Sequence, residues 1–221
     1  MTQELAAIVG AGPGIGAAAA RRFAEAGHRV AVLSRSESTT AGLLQELRDA
    51  DRSATAVTAD TGDGASLAAA FAQIRRDLGD PTVLLFNALA FVPGAPTQLD
   101  LDAFEASLRA NVVGALACVG EVVPAMRAAG RGTILLTGGG MALRPVAKLS
   151  AVSVAKAAQR SLFLSLAEEL APDGIHVAQV TVAGFVKAGG PFDPALIAGE
   201  LHRLYAQPPE AWETEIVFGG G

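Results

Sequence analysis

Seven apolar runs of strand length, separated by longer stretches of helical period, extend along nearly the whole chain. They fall at residues 5–10, 29–34, 54–59, 83–87, 132–137, 176–182 and 215–218. They are rich in Val, Ile and Leu rather than alternating, the pattern of strands buried on both faces. The helical stretches lie near residues 14–27, 38–50, 63–79, 100–129, 151–171 and 194–206. Gly27 stops the first of these, and Pro172-Asp173-Gly174 stops the fifth. Strand–helix alternation with short connections requires βαβ units. Residues 1–221 are therefore expected to form one α/β domain, a doubly wound parallel sheet of about seven strands with helices on both faces.

A chain of 221 residues suits one such domain, which at this size buries roughly 70% of its unfolded surface. With 51% apolar and 18% charged residues it is neither disordered nor fibrous. A net charge of −5 and the lack of any Lys/Arg run exclude a nucleic-acid surface. The single cysteine, Cys118, forbids an internal disulfide and fits a reducing compartment. Mean hydropathy is high at +0.38, but no window offers about 18 uncharged apolar residues in a row. The longest candidate, 112–129, is broken by Glu121, Pro124 and Arg127, and Glu4 stands where a secretory leader carries positive charge. The expectation is a soluble, cytoplasmic protein without a membrane partner.

Between the first strand and the first helix lies Val9-Gly10-Ala11-Gly12-Pro13-Gly14-Ile15-Gly16. Glycines at this place permit a tight turn, a backbone close to a diphosphate, and close helix–strand packing. The helix start adds free N–H groups and a positive dipole end. Gly10, Gly12, Gly14, Ile15 and Gly16 are accordingly expected to cradle a dinucleotide, as in Rossmann domains, the alternative being a ligand-free glycine turn. The second strand ends at Ser34-Arg35, where an NAD site would carry an acidic residue for the ribose hydroxyls. A serine followed by an arginine suits a 2′-phosphate instead, so NADP(H) is favoured over NAD(H); an unliganded surface arginine is the alternative. Asp60-Thr61 follows the third strand. Asp60 is read either as an acceptor for the adenine amino group or as a helix N-cap.

In this order the motifs resemble the short-chain dehydrogenase/reductase family over residues 5 to about 187. The resemblance rests on Gly10/Gly14/Gly16, the Asp60 segment, Asn87-Ala88, Asn111-Val112-Val113-Gly114, and Lys156 followed by Ala157-Ala158. It implies a nicotinamide site that includes Asn87, Ala88, Lys156 and Gly184, with Lys156 and Asn111 as catalytic members. It also implies a Tyr four residues before the lysine and a Ser thirteen before that Tyr. Those positions hold Val152 and Gly139. Neither residue can donate a proton, and general acid–base help is worth about 10²–10⁴-fold. Two readings follow. One is an atypical NADP(H)-dependent oxidoreductase with an altered proton donor, acting on a small carbonyl or alcohol. The other is a nucleotide-binding protein without redox turnover.

The neighbours offer partial substitutes. Ser150 and Ser153 flank position 152, with Ser150 read as a helix cap and Ser153 on another helical face. Tyr205, the only tyrosine, would have to swing in from the last helix. Lys156 either contacts the ribose or, desolvated, acts as a base or nucleophile. Met141, Arg144 and Lys148 border the site, where one cation suits an acidic ligand. His28, His176 and His202 lack metal-ligand spacing, and no metal is expected. Trp212 either covers the site or locks the C-terminal segment onto the sheet. Helices near 100–129 and 151–171 are apolar on more than one face, at Val112, Ala115, Val119, Val122, Leu162 and Leu166. One-sided burial should leave a polar opposite face, so a homodimer or homotetramer through these helices is expected; the resembled family commonly pairs there.

Overall fold

The structure, a computed structural model, describes residues 3–220; Met1, Thr2 and Gly221 of the expected domain lie outside them. Seven strands form one parallel sheet in the order β3-β2-β1-β4-β5-β6-β7. They are β1 (Leu5–Val9), β2 (Arg29–Ser34), β3 (Ala54–Thr58), β4 (Val83–Phe86), β5 (Gly132–Gly139), β6 (Ile175–Val182) and β7 (Glu215–Phe218). The helices are α1 (Ile15–Glu25), α2 (Glu37–Asp49), α3 (Gly64–Leu78), α4 (Leu101–Leu108), α5 (Gly114–Ala129), α6 (Ser150–Leu170) and α7 (Pro194–Tyr205).

Period-two alternation divides each strand between two cores. Leu5, Ala7, Val9, Leu84, Phe86, Ile134 and Leu136 meet α3, α5 and α6 through Phe71, Ile74, Val119, Val122 and Phe163. Ala6, Ile8, Val30, Val32, Leu85 and Val180 meet α1, α2 and α7 through Ala17–Ala20, Phe23, Leu47, Leu201 and Leu204. Both faces are covered, which explains why the strands read as continuous apolar runs. The alanines of α1 let α7 pack closely beside it. The edge strand β7 is fixed by Glu215, whose carboxylate accepts from Arg160 of α6, from Gln179 Nε2 at 3.0 Å and from Thr181 Oγ1 at 2.6 Å. The Arg160 guanidinium first, then Thr181 and Gln179, hold the Glu215 carboxyl below the usual range, against its partial burial.

The helix expected over 100–129 is one run of 29 residues, long and apolar enough by length and composition to cross a membrane. Here it is a core element, with Ala115, Cys118, Val119 and Val122 under the sheet. It is also not uniform. A π-helical turn, Arg109–Val113, separates α4 from α5, and it presents Asn111 inward. Sequence periodicity cannot register this one extra residue per turn. Of the residues read as a surplus apolar face, Ala115, Val119, Val122 and Leu166 are buried in the chain's own core. That assignment is overturned. The exposed large apolar residues of these helices are Leu101, Val113, Leu116 and Val154.

Candidate active site

The order reverses between β1 and β4, so a crevice opens outside the C-terminal ends of these strands. Two glycines of the first loop set its floor. Gly10 has φ +85°, and a Cβ on it would lie 2.5 Å from the Ala88 backbone. A Cβ on Gly16 would come within 2.3 Å of the Gly10 carbonyl oxygen and 2.9 Å of Asn87 Nδ2. Their absence lets α1, β1 and the end of β4 converge, and Asn87 Nδ2 donates to the Gly10 carbonyl at 2.8 Å.

Gly12 and Gly14 have a different setting, since nothing lies within 4 Å of an added Cβ. They border open space above the start of α1, which has no side-chain cap. The first amides drawn back into the turn are Ala17 to Gly12 O and Ala18 to Gly14 O, at 3.2 and 3.0 Å. The amides of Gly14, Ile15 and Gly16 find no acceptor among the described residues. An uncapped helix start with free donors is an electrostatic seat for an anion, so these residues fit a dinucleotide's diphosphate.

At the end of β2 the Ser34 hydroxyl donates to Ser36 O at 2.8 Å. Arg35 beside it is exposed and makes no ion pair among the described residues. After β3, Asp60 Oδ1 accepts from Gly62 N at 2.8 Å. The cap of α3 is Asp63, accepting from Ala65 N at 2.9 Å, so the capping reading of Asp60 does not hold. Thr61 is half-buried against the start of α5. A Cβ on Gly114 would sit 2.2 Å from the Thr61 carbonyl oxygen, so this glycine admits the loop.

Lys156, on α6, is only 7% exposed. Its Nζ donates to Thr137 O on β5 at 2.7 Å, and among the described residues no carboxylate neutralises it. Burial alone lowers its pKa to about 8. Gly139 lies beside it. An added Cβ there would be 3.5 Å from Lys156 Cγ and Cδ, an ordinary contact. Val152, one helical turn earlier on α6, is fully buried. The Thr137 hydroxyl and Gln159 Oε1 are buried without partners.

Asn111 is also fully buried and spends its amide on Ala90 and Ser107. Its Oδ1 accepts from Ala90 N at 2.7 Å, while Nδ2 donates to Ala90 O at 2.9 Å and Ser107 Oγ at 3.1 Å. Gln159 Nε2 then donates to the Asn111 carbonyl at 2.6 Å, joining α6 to the π-helical turn. Gln159 and Ser107 were not picked out from the sequence. A glutamine three residues after Lys156, within the same helix, was the only signal.

Two cavities flank the glycine loop. One, of about 790 Å³, lies over Thr137–Gly140 and Lys156 and reaches Ile15, Asn87, Val182 and Gly184. The other, of about 630 Å³, lies between Pro13–Ile15 and the segment Val186–Ala195. Gly184 borders the first; a Cβ there would strike the Phe192 ring at 2.1 Å. Met141 and Arg144 line this cavity and Lys148 does not.

Other expectations resolve away from the crevice. Tyr205 OH donates to Glu4 Oε2 at 2.7 Å and meets His28 Nε2 at 3.0 Å, beside the start of β1. Burial, then Glu4, raises its pKa. It lies at the opposite sheet end and is no substitute donor. Ser150 does not cap α6; its hydroxyl donates to Gly94 O at 2.7 Å and anchors the loop after β4. Ser153 is tied to Leu149 O and Val146 N. Trp212 stacks on His176 at 4.8 Å, locking the C-terminal segment. Cys118 is buried, and desolvation pushes its thiol up to about 12.

The family profile described as short chain dehydrogenase matches residues 4–189. The chain belongs to this family. The match takes in the glycine loop, the Asn111 turn, Lys156 and the first six strands of this short-chain dehydrogenase. A cis-4-hydroxycyclohexanecarboxylate dehydrogenase of Sinomonas cyclohexanicum is 33% identical over 89% of this chain and 76% of its own length. A 2,5-dichloro-2,5-cyclohexadiene-1,4-diol dehydrogenase of Sphingobium indicum is 26% identical, covering 82% and 72%. A solved metagenomic short-chain oxidoreductase, in complex with NADP, superposes with a TM-score of 0.89 at 27% identity, over 97% of this chain and 96% of that one.

Proposed function

We propose that this short-chain dehydrogenase is an atypical NADP(H)-dependent oxidoreductase that acts on a small carbonyl or alcohol, with Lys156 serving as proton donor and acceptor. One observation carries the reading. At the floor of the larger cavity sits a buried, un-neutralised lysine, where residues 139 and 152 offer no hydroxyl. The names of the relatives add support, since two describe dehydrogenation of six-membered-ring alcohols.

The residues act as follows. Amides of Gly14, Ile15 and Gly16, with the dipole of α1, would hold a diphosphate. The Arg35 guanidinium binds the 2′-phosphate beside Ser34. Asp60, next to Thr61, offers its second carboxylate oxygen to the adenine amino group. Asn87, Ala88 and Gly184 would border a nicotinamide, which when bound supplies or accepts the hydride. The Lys156 ammonium gives its proton to the carbonyl oxygen during reduction, and the neutral amine takes it back during oxidation. A pKa near 8 leaves both forms accessible around neutral pH. Asn111 reaches no reacting atom and is a positioning residue, fixing Ala90 and, through Gln159, α6.

Calorimetric titration of cofactor-free protein with NADPH and then NADH tests the cofactor half. NADPH is expected to bind more tightly, and Arg35→Ala to weaken NADPH about 10–100-fold while sparing NADH. Equal affinities in the wild type would retire the Arg35 assignment. A second reading is a nucleotide-binding protein without turnover. The missing hydroxyls at 139 and 152 favour it; reduction of any carbonyl at the expense of NADPH eliminates it.

We also read the protein as a homodimer or homotetramer through α4, α5 and α6, now on Leu101, Val113, Leu116 and Val154. Light scattering should give a multiple of 22.3 kDa. A monomer at micromolar concentration would end this reading.

A further inference from the structure

We infer that the substrate carries a carboxylate, and that Arg144 at the mouth of the larger cavity binds it while an apolar ring body fills the space toward Lys156. The inference rests on the oxidoreductase reading of this cavity and deepens it by naming the substrate's chemistry.

The lining is strongly one-sided. Leu89, Met141, Leu143, Val146, Leu149 and Phe185 supply much of the wall, and no carboxylate belongs to it. Phe185 is 91% exposed, and Leu89, Leu143 and Val146 are also well exposed. Apolar side chains left open around a concave site are the usual mark of an apolar ligand.

Only two lining residues are charged. Lys156 lies at the floor, occupied by Thr137 O. Arg144 is exposed and has no ion pair or side-chain hydrogen bond among the described residues. Its backbone is nevertheless fixed, because Arg144 N donates to Gly140 O at 2.9 Å and Leu143 N to the same oxygen at 3.0 Å.

Several of the chain's arginines provide the contrast. Arg21 also lines a cavity, the one beside the glycine loop, but both of its forks are spent on Glu46, at 2.6 and 2.8 Å. Arg75, Arg127, Arg160 and Arg203 are likewise tied to carboxylates. Arg144 is the cavity-lining arginine whose planar donors remain available. Guanidinium matches a carboxylate in a two-bond fork. At the mouth of the cavity Arg144 is the one cation, and it balances one negative charge there, with Lys156 held at the floor.

The test uses NADPH-loaded protein and two probes of one shape, 4-acetylbenzoate and its methyl ester. Calorimetry should show the acid bound about 10–100-fold more tightly than the ester. In Arg144→Gln the ratio should fall to about one, and Arg144→Lys should keep part of it. Repeating the acid–ester pair with 6-acetyl-2-naphthoate allows for a longer span between the two cations. Equal affinity of acid and ester in both pairs, or no binding of either pair to protein that binds NADPH, overturns the inference and leaves the oxidoreductase reading intact. Failure of NADPH itself to bind, with the acid still preferred in cofactor-free protein, overturns that reading and leaves the anion site.

Discussion

Lys156→Met is expected to melt at a higher temperature than the wild type and to lose at least 100-fold in carbonyl reduction. An ordinary lysine holds its proton to pH 10.5, whereas this one holds it only to about 8. The unfolded chain therefore binds the proton more tightly than the folded one. As pH falls from 10.5 toward 8 the folded state loses stability, and below 8 the deficit stays constant at roughly 3 kcal/mol. Methionine removes that deficit but forfeits the hydrogen bond to Thr137 O, worth about 1 kcal/mol. A net gain of about 2 kcal/mol corresponds to a rise of roughly 4–8 °C for a domain of this size. The gain should be full at pH 7 and vanish above about pH 10.5, which denaturant melts at several pH values can follow. Kinetics should show the matching signature. In the wild type, reduction should decline as pH rises through about 8, and oxidation should climb through the same point. A variant less stable than wild type at pH 7 would show that the lysine is not desolvated. Unchanged turnover would remove it from proton transfer.

The two features have one cause. A lysine kept in an apolar wall without a carboxylate is a cost to folding, and such strain gathers where a site needs a shifted group. The sequence displays Lys156 plainly, through its spacing after Asn111 and the residues that follow it. What it cannot display is whether the ammonium is paired, because pairing depends on which backbone carbonyl β5 brings to α6.

The same limit explains the other differences. Strand positions were legible because burial on both faces demands continuous apolar runs, and each core receives every second residue. Gly10 and Gly16 were legible because close approach leaves no choice of residue. Gly12 and Gly14 look identical to them in sequence yet serve openness rather than packing, a distinction that only the neighbouring chain reveals. Ser150 and Asp60 sit where helix caps belong. Each found a nearer partner, Gly94 O and Gly62 N, and capping competes with any local acceptor or donor. The apolar positions of α5 and α6 were overcounted as an outer face, since α5 lies against the sheet and α3, while α6 lies against the sheet and α4. Gln159 and Ser107 are ordinary polar residues on helices. Their role appears only once the π-helical turn brings Asn111 to them, its carbonyl accepting from Gln159 Nε2 and its amide donating to Ser107 Oγ.

Gly139→Ser combined with Val152→Tyr is expected to raise carbonyl reduction by about 10-fold, less than the 10²–10⁴-fold usual worth of a placed general acid because Lys156 already supplies a proton. The serine is readily accommodated. Its Cβ would rest 3.5 Å from Lys156 Cγ and Cδ, so Gly139→Ser alone should change stability by no more than about 0.5 kcal/mol. The tyrosine is harder to place, because Val152 is fully buried and overpacking costs about 1–3 kcal/mol. Positions 152 and 156 lie one helical turn apart on the same face. Val152 is not part of the cavity wall, so a ring at 152 has to displace its neighbours to reach the space above Lys156, where the ammonium would favour the phenolate. The double variant should also move the pH dependence of reduction from the lysine to the coupled phenol–lysine pair, whose apparent values belong to both groups. If it folds, binds NADPH as the wild type does and gains nothing, then the residues at 139 and 152 do not limit carbonyl reduction. An equal gain from Val152→Phe would assign the effect to cavity shape instead of proton transfer. A gain requiring the phenol would show that the rest of the site, including Lys156 and the Asn111 clamp, is still arranged for hydride chemistry.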